Sequence, residues 1–588
     1  MRQSNKEAYL WQPFSFHDGM ERGANSDVKK ERRINFDIKW AVIIAIIAFL
    51  VVFQVLPLVY LLYNSFFIDG TFSLEGFSRI YSYSLNWTAL KNTLITAGLS
   101  MVFGVLLAFP LAWLVGRTNL YGKKFFRTLF VMTYMVPPYV GAMAWLRLMN
   151  PKVGTLNVLI QQLFNLESPP FNIYTIGGLV WVLTTFYYPF AFITISRAME
   201  KMDPSLEEAS RISGASPLKT MFTVTLPLMM PSIVAAALLV FVAAASCYGI
   251  PSIIGAPGQI HTVTTRIVDY VYIGSREGLR DATNLAIFLM GIALIVLYLS
   301  NFVVGKKEYI TVSGKSTRPN IVDLGRWRIP ITIIVSLFAI IVVIIPFASV
   351  FMTSITMNMG KSIFADGNLT LKYWNTIFTR SAILNSGKNS IISAMWAATL
   401  GMVICLVMAY LLKRTNVKGK KIPDFLITVG SGTPSVVIAL ALIMTMSGKF
   451  GINIYNTMFI MVIAYMIKYM MMGMRTVVSA FSQISPSLEE AAQISGSGWL
   501  RRLKDVILPL IVPSIVAGWF LIFMPCFYEL TMSNLLYSNN TKTLGVELYT
   551  YQTYHSQQTA SALASGILIM VIVLNFVLNK VTKGKFSI

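Results

Sequence analysis

The stretch LEEASRISGASPLKTMFTVTLPLMMPSIV, residues 206–234, recurs as LEEAAQISGSGWLRRLKDVILPLIVPSIV at residues 488–516. The two copies align without a gap at a constant offset of 282, and sixteen of the 29 positions are identical. Each opens on a polar, helix-forming phrase and runs into an apolar one. Repetition at that fidelity makes this a duplicated chain, with two halves of like topology.

Of the 588 residues, 55% are hydrophobic and only 12% charged, with a mean hydropathy of +0.64, too apolar for a soluble protein. WAVIIAIIAFLVVFQVLPLVYLLY (40–63) contains no charge and, at about 1.5 Å per residue, crosses a hydrocarbon core of roughly 30 Å. Twelve such segments are expected, near 40–63, 92–116, 126–149, 176–199, 227–250, 284–305, 328–352, 389–412, 424–447, 455–478, 509–535 and 560–579. The fold class is all-α and polytopic. The 39 mostly polar residues before the first span, including KKERR (29–33), read as a cytoplasmic arm rather than a cleavable signal.

The net charge of +23 points to membrane topology, not to nucleic acid. With the N-terminus inside, inner segments carry 34 of the 48 Lys and Arg, which is the positive-inside pattern and places both termini in the cytoplasm. Cys247, Cys405 and Cys526 fall inside spans without metal-ligand spacing, so neither a disulfide framework nor a zinc site is expected.

The duplication extends beyond the opening stretch. KNTLITAG (91–98) echoes KNSIISAM (388–395), GRTNLYGKK (116–124) echoes KRTNVKGKK (413–421), and Pro137 matches Pro434, all at an offset of 297. The offset falls to 282 between the third and fourth spans, so the first half holds about 15 extra residues there, around 150–172, on the outer side. The expected organisation is a cytoplasmic arm (1–39), a first six-helix half (40–305), a cytoplasmic linker (306–328) and a second six-helix half (329–588). Six is even, so the halves are parallel repeats about an axis near the membrane normal.

Each copy of the repeated phrase lies between the fourth and fifth spans of its half. Asp203 or Ser485 suits an N-cap, Pro204 or Pro486 the first helical position, and Glu207, Glu208, Glu489 and Glu490 the positive end of the helix dipole. Gly214 and Gly496 end the short helix. A second, basic helix is expected to follow along the membrane surface, with Pro227 or Pro509 opening the next span. A loop that merely joined two helices was free to drift between halves, so two matching protrusions suit two matching cytoplasmic partners.

The pattern EAS---G---------V-LP from Glu208, and EAA---G---------V-LP from Glu490, resembles the EAA loop of ATP-binding-cassette importer permeases. Ser210 departs from the second alanine in the first copy. The resemblance implies that 203–215 and 485–497 are coupling helices docking on two copies of a cytoplasmic ATPase, with Glu207, Glu208, Ala209, Gly214, Glu489, Glu490, Ala491 and Gly496 in contact or in support. It also implies an extracytoplasmic substrate-binding protein and a bacterial inner-membrane location. The chain carries no nucleotide site of its own: SGKST (313–317) has Tyr309, and GKS (360–362) has Ile355, where a P-loop needs glycine. ATP and magnesium therefore belong to a separate subunit, and this chain is not an enzyme and needs no cofactor.

Charges within spans mark candidate pathway residues: Lys468, midway along the tenth span, and Glu529, near the outer end of the eleventh. Pairing between the two is one bland account of them. YELTMSNLLYS (528–538) with TKTLGVELY (541–549), and YGIPSIIG (248–255) with TTRIVDY (264–270), resemble fused two-half ferric-iron-type permeases. That resemblance puts Tyr528, Glu529, Cys247 and Tyr248 on the path. It is weakened at Cys247, where the family often has an acid. A hard trivalent cation prefers oxygen ligands, which the tyrosines 248, 270, 272, 528, 537, 549, 551 and 554 and the acids Asp269, Glu529 and Glu547 offer, although interfacial aromatics are common without cargo. His261 and His555 occupy equivalent outer loops, and Arg266, Arg276 and Arg280 suit an anionic cargo or an acidic binding protein. Phosphonate, sugar phosphate, polyamine and thiamine are the alternative cargoes. A secondary transporter is expected to show buried acids or broken helices in matching places, and neither Lys468 nor Glu529 has a counterpart in the first half. An intramembrane enzyme needs clustered His, Asp or Cys within spans, which the sequence lacks.

Overall fold

The computed structural model describes residues 40–305, 321–359 and 365–581. The expected arm (1–39), both P-loop-like stretches and most of the linker lie outside the described residues. Among the described residues ten helices are long and apolar enough to cross a membrane: Trp40–Phe66, Ser84–Arg117, Ile176–Glu200, Pro217–Ala245, Arg276–Ser300, Gly325–Ser354, Ser381–Arg414, Met458–Gln483, Leu503–Phe527 and Gln557–Leu578. Two further spans, the third and the ninth, are each a pair of short helices. Lys123–Met135 and Pro138–Met149 meet at 105°, and Lys421–Gly432 and Ser435–Thr445 meet at 109°.

Hydropathy alone reads both of these as straight spans. Proline explains the difference. Pro137 and Pro434 lack an N–H, and the residue before each is driven out of the helical region. Val136 and Thr433 accordingly have ψ of 139° and 134°. Broken helices in matching places therefore exist, so that criterion does not separate a permease from a secondary transporter.

Prolines elsewhere are absorbed without a break. The N–H groups of Leu56, Leu226, Ile345 and Leu508 bond five residues back, to Val51, Met221, Ile340 and Leu503, and each precedes a proline. The widened π-turn carries the chain past the missing donor and past the ring's clash with the carbonyl four residues back. The expectation for the loops is corrected accordingly. Pro227 does not open a span, because the helix runs from Pro217 through the π-turn Met221–Thr225 to Ala245. The basic segment after Gly214 is thus the start of the fifth span, not a separate surface helix.

The halves interlock. Ser349 on the seventh span donates to the Ala144 carbonyl (3.2 Å) in the broken third span, and Phe338 stacks edge-on against Phe130 and Tyr188. Reciprocally, Gln54 on the first span donates to the Leu426 carbonyl (2.7 Å) in the broken ninth span. The first helix of each half therefore packs on the other half's broken helix. One continuous core of buried apolar residues runs from Ile43 to Val571 through both halves.

Candidate functional site

The two repeated loops fold alike. Pro204–Ile212 and Pro486–Ile494 are nine-residue helices. Asp203 and Ser485 cap them by accepting the N–H of Ser205 (3.0 Å) and Ser487 (3.4 Å). That N–H holds the Asp203 carboxyl below the usual carboxylate range. Both helices close in Schellman geometry: Gly214 N–H bonds to Arg211 O and Ala215 N–H to Ser210 O, and Gly496 and Ser497 repeat this on Gln493 and Ala492. Gly214 and Gly496 sit at φ +85° and +81°, and a Cβ added to either would meet nothing within 4 Å, so glycine is required by backbone conformation and not by crowding.

The glutamates of each pair divide their work. Glu207 is buried and accepts from Thr225 (2.7 Å), with Arg117 Nε at 3.6 Å. Glu489 accepts from Arg414 Nε at 2.6 Å. Glu208, Glu490, Ala209 and Ala491 are exposed. Exposed apolar residues accompany them at equal levels in both copies: Leu206 at 47% and Leu488 at 48%, Ile212 and Ile494 both at 87%.

Arg117 and Arg414, which sequence reasoning does not single out, anchor these loops. Each ends the second helix of its half and reaches the carbonyls that end the fourth. Arg117 donates to Met199 O (2.7 Å) and Met202 O (3.3 Å), and Arg414 to Ile484 O (2.7 Å) and Phe481 O (3.4 Å). The repeated Arg-Thr-Asn of the two basic echoes was the signal available. In the first half Val322, from the described end of the linker, bonds to Arg117 O and receives the Asn119 N–H (2.8 and 3.1 Å).

The candidate pathway residues gather at the seam between halves. The fifth and eleventh helices end at Ala245 and Phe527, earlier than expected, so Cys247 and Glu529 occupy equivalent turns beyond them. Glu529 is buried and accepts from Met532 N–H (3.0 Å), Ser533 N–H (2.9 Å) and the Ser533 hydroxyl (3.0 Å). Its carboxylate starts the next helical turn, where negative charge is favourable. Tyr139 donates to Tyr528 O (3.0 Å), and Asn534 to the Tyr248 hydroxyl (3.1 Å), so both tyrosines bridge the halves.

Lys468 does not pair with Glu529. Its ammonium donates to Ser431 O (2.9 Å) and Thr433 O (2.7 Å), the carbonyls at the ninth-span break. A cation there satisfies orphaned acceptors and complements the negative helix end. The equivalent residue of the first half, 282 positions earlier, is Phe186, whose ring packs on Gly141 just past the other break. The two breaks are thus held by different chemistry.

The acids among the expected oxygen ligands already have partners. Glu547 pairs with Lys542 (2.6 Å), and Asp269 with Arg266 (3.4 Å), with His261 Nδ1 3.6 Å from the Asp269 carboxylate. Arg276 pairs with Asp69 (3.0 Å), and His555 lies against the Tyr551 ring. Among the described residues no group of three or more His, Cys, Asp and Glu is placed to hold a metal ion.

Residues 100–306 and 401–583 each match the family described as the binding-protein-dependent transport system inner membrane component. The chain belongs to this family: it is an ATP-binding-cassette importer permease, a multi-span membrane component with two permease halves on one polypeptide. Among its relatives is the ferric transport system permease protein FbpB of Actinobacillus pleuropneumoniae, 25% identical over 91% of this chain and 77% of that one. A putative ferric transport system permease, FbpB 1 of Haemophilus influenzae, is 28% identical over 81% and 74%. The spermidine/putrescine transport system permease protein PotB of Escherichia coli is 25% identical over 45% of this chain and 98% of its own, one half's worth.

Proposed function

We propose that this chain is the permease through which a separate ATPase drives import of ferric iron delivered by an extracytoplasmic binding protein. The observation that carries the mechanism is the matched pair of loop helices, each presenting Leu206 and Ile212, or Leu488 and Ile494, to solvent beside an exposed Glu-Ala step. Two equal apolar knobs on polar loops call for two equal protein partners. Two ATPase subunits seated on 203–215 and 485–497 would fill that role, with ATP and magnesium held there and no covalent chemistry on this chain. Arg117 and Arg414 would transmit their approach, because each ties a loop glutamate to the end of the fourth or tenth span. Both termini would then be cytoplasmic, and the binding protein would dock on the opposite face.

The cargo path would run along the seam, which is closed here by the Tyr139–Tyr528 and Tyr248–Asn534 bonds. Outward opening must break them, exposing Tyr248, Tyr528 and the turn bearing Cys247 or Glu529, while Lys468 stays with its carbonyls. Ferric iron is favoured as cargo by the two ferric transport relatives, which align over most of the chain. Polyamine is the second reading, favoured by the likeness of one half to a spermidine/putrescine permease. Uptake of labelled ferric iron by cells with and without this chain tests the reading. Chain-dependent uptake that stops on ATP depletion supports it, and iron uptake unaffected by deletion of the chain overturns the cargo assignment.

A further inference from the structure

The extra segment of the first half, 150–172, forms a helix, Thr155–Phe164, on the side of the bundle opposite the coupling loops. It is tied down at one edge. Asn157 is fully enclosed, donating to Asn150 O (2.9 Å) and Phe171 O (2.8 Å) and accepting the Phe171 N–H (3.0 Å). Ile173 N–H bonds to Met149 O (3.2 Å), so the segment leaves and returns where the third and fourth spans end. Helical spacing then sorts the remaining residues. Leu159 and Leu163 lie on one flank, 61% and 72% exposed, while Gln162 and Asn165 lie on the other. Phe164 is 66% exposed at the helix end.

Two observations identify what covers the apolar flank. From Val153 to Leu166 there is no charged residue, and the nearest, Lys152 and Glu167, are exposed at its borders. On the fourth span, Trp181 stands edge-on to Trp145 and is 38% exposed, an amphipathic ring of the kind enriched where a bilayer meets water. Trp181 is five residues into the fourth span, about 8 Å from its end at 1.5 Å per residue, and the segment bearing the helix returns to that same end at Ile173, so the helix lies at the margin of the spans.

We propose that Thr155–Phe164 is an interfacial helix that inserts Leu159, Leu163 and Phe164 into the outer leaflet and braces the outer arm of the broken third span. The second half has no such insertion, so this strut belongs to one half alone. Having no basic residue, the helix engages neutral lipid by apolar burial and not by charge. This rests on the proposed topology only for which leaflet is meant.

The test uses the full-length protein in vesicles of zwitterionic lipid, with a bimane label on Leu163→Cys or, separately, Gln162→Cys. The three native cysteines are buried, and the unsubstituted chain gives the labelling background. The probe at 163 is expected to be blue-shifted and quenched by brominated lipid tails at low and high salt alike, and the probe at 162 to be neither. Equal, water-like emission at both positions overturns the proposal. So does a probe at 163 that is shielded only when substrate-binding protein is added, which assigns the surface to that partner.

Discussion

Replacing Arg414 by alanine removes a side chain that joins the second repeated loop to the tenth span. The guanidinium and the Glu489 carboxylate are 10% and 17% exposed, so both are largely desolvated. The substitution strands Glu489 and leaves the carbonyls of Phe481 and Ile484 without their donor. Removing one member of a buried ion pair costs about 3–5 kcal/mol. Because Glu489 borders solvent and can rehydrate, the lower end applies, and about 3 kcal/mol shifts the docked-to-undocked ratio of the loop by roughly 100-fold. Hydrogen exchange of the amides in 485–497 is the assay. Arg414→Ala is expected to accelerate exchange there while leaving 203–215 unchanged, and to lower uptake at unchanged membrane insertion. Arg414→Lys, which keeps the charge but not the fork that reaches three acceptors, should fall between. Unchanged exchange and uptake in Arg414→Ala would refute the anchoring role.

Other positions give further expectations. Gly214→Val and Gly496→Val place a β-branched residue at positive φ, costing about 1–2 kcal/mol of backbone strain with no side-chain clash. Uptake should fall in each at normal expression, with Gly→Asn milder, and normal uptake in both valine variants would count against the coupling assignment. Lys468→Met leaves two carbonyls at the ninth-span break unsatisfied, a loss of about 2–5 kcal/mol read as a lower unfolding temperature in detergent. An unchanged temperature would show that the break holds without its cation. Glu529→Gln keeps one acceptor for the turn at 532–533 and should lower stability by about 1–2 kcal/mol while preserving uptake. Lost uptake at full stability would instead make Glu529 a cargo ligand.

Much of this architecture was legible in the sequence because hydropathy and repetition report it directly. The local structure of the repeated loops was legible residue by residue, since caps, acids and the terminal glycine are local devices that need no tertiary partner. The breaks at Pro137 and Pro434 were not. The flanking residues are apolar on both sides, so hydropathy reads through them, and other prolines in the chain are absorbed by π-turns without any break. Arg117 and Arg414 escaped because their charge sits where basic residues are common for topological reasons. What distinguishes them is burial, and burial is a property of the folded bundle. Pairing of Lys468 with Glu529, one of the readings the sequence allowed, failed for a related reason: each charge found backbone groups nearer than the other, at helix ends that hydropathy does not show.

The claim on which the mechanism turns is that each repeated loop seats one ATPase. Native mass spectrometry of the complex purified with its ATPase measures this directly. The account predicts two ATPase subunits per chain, falling to one when either Leu206 and Ile212 or Leu488 and Ile494 are replaced by glutamate. A complex that holds a single ATPase, or one whose two copies survive both replacements, would contradict it.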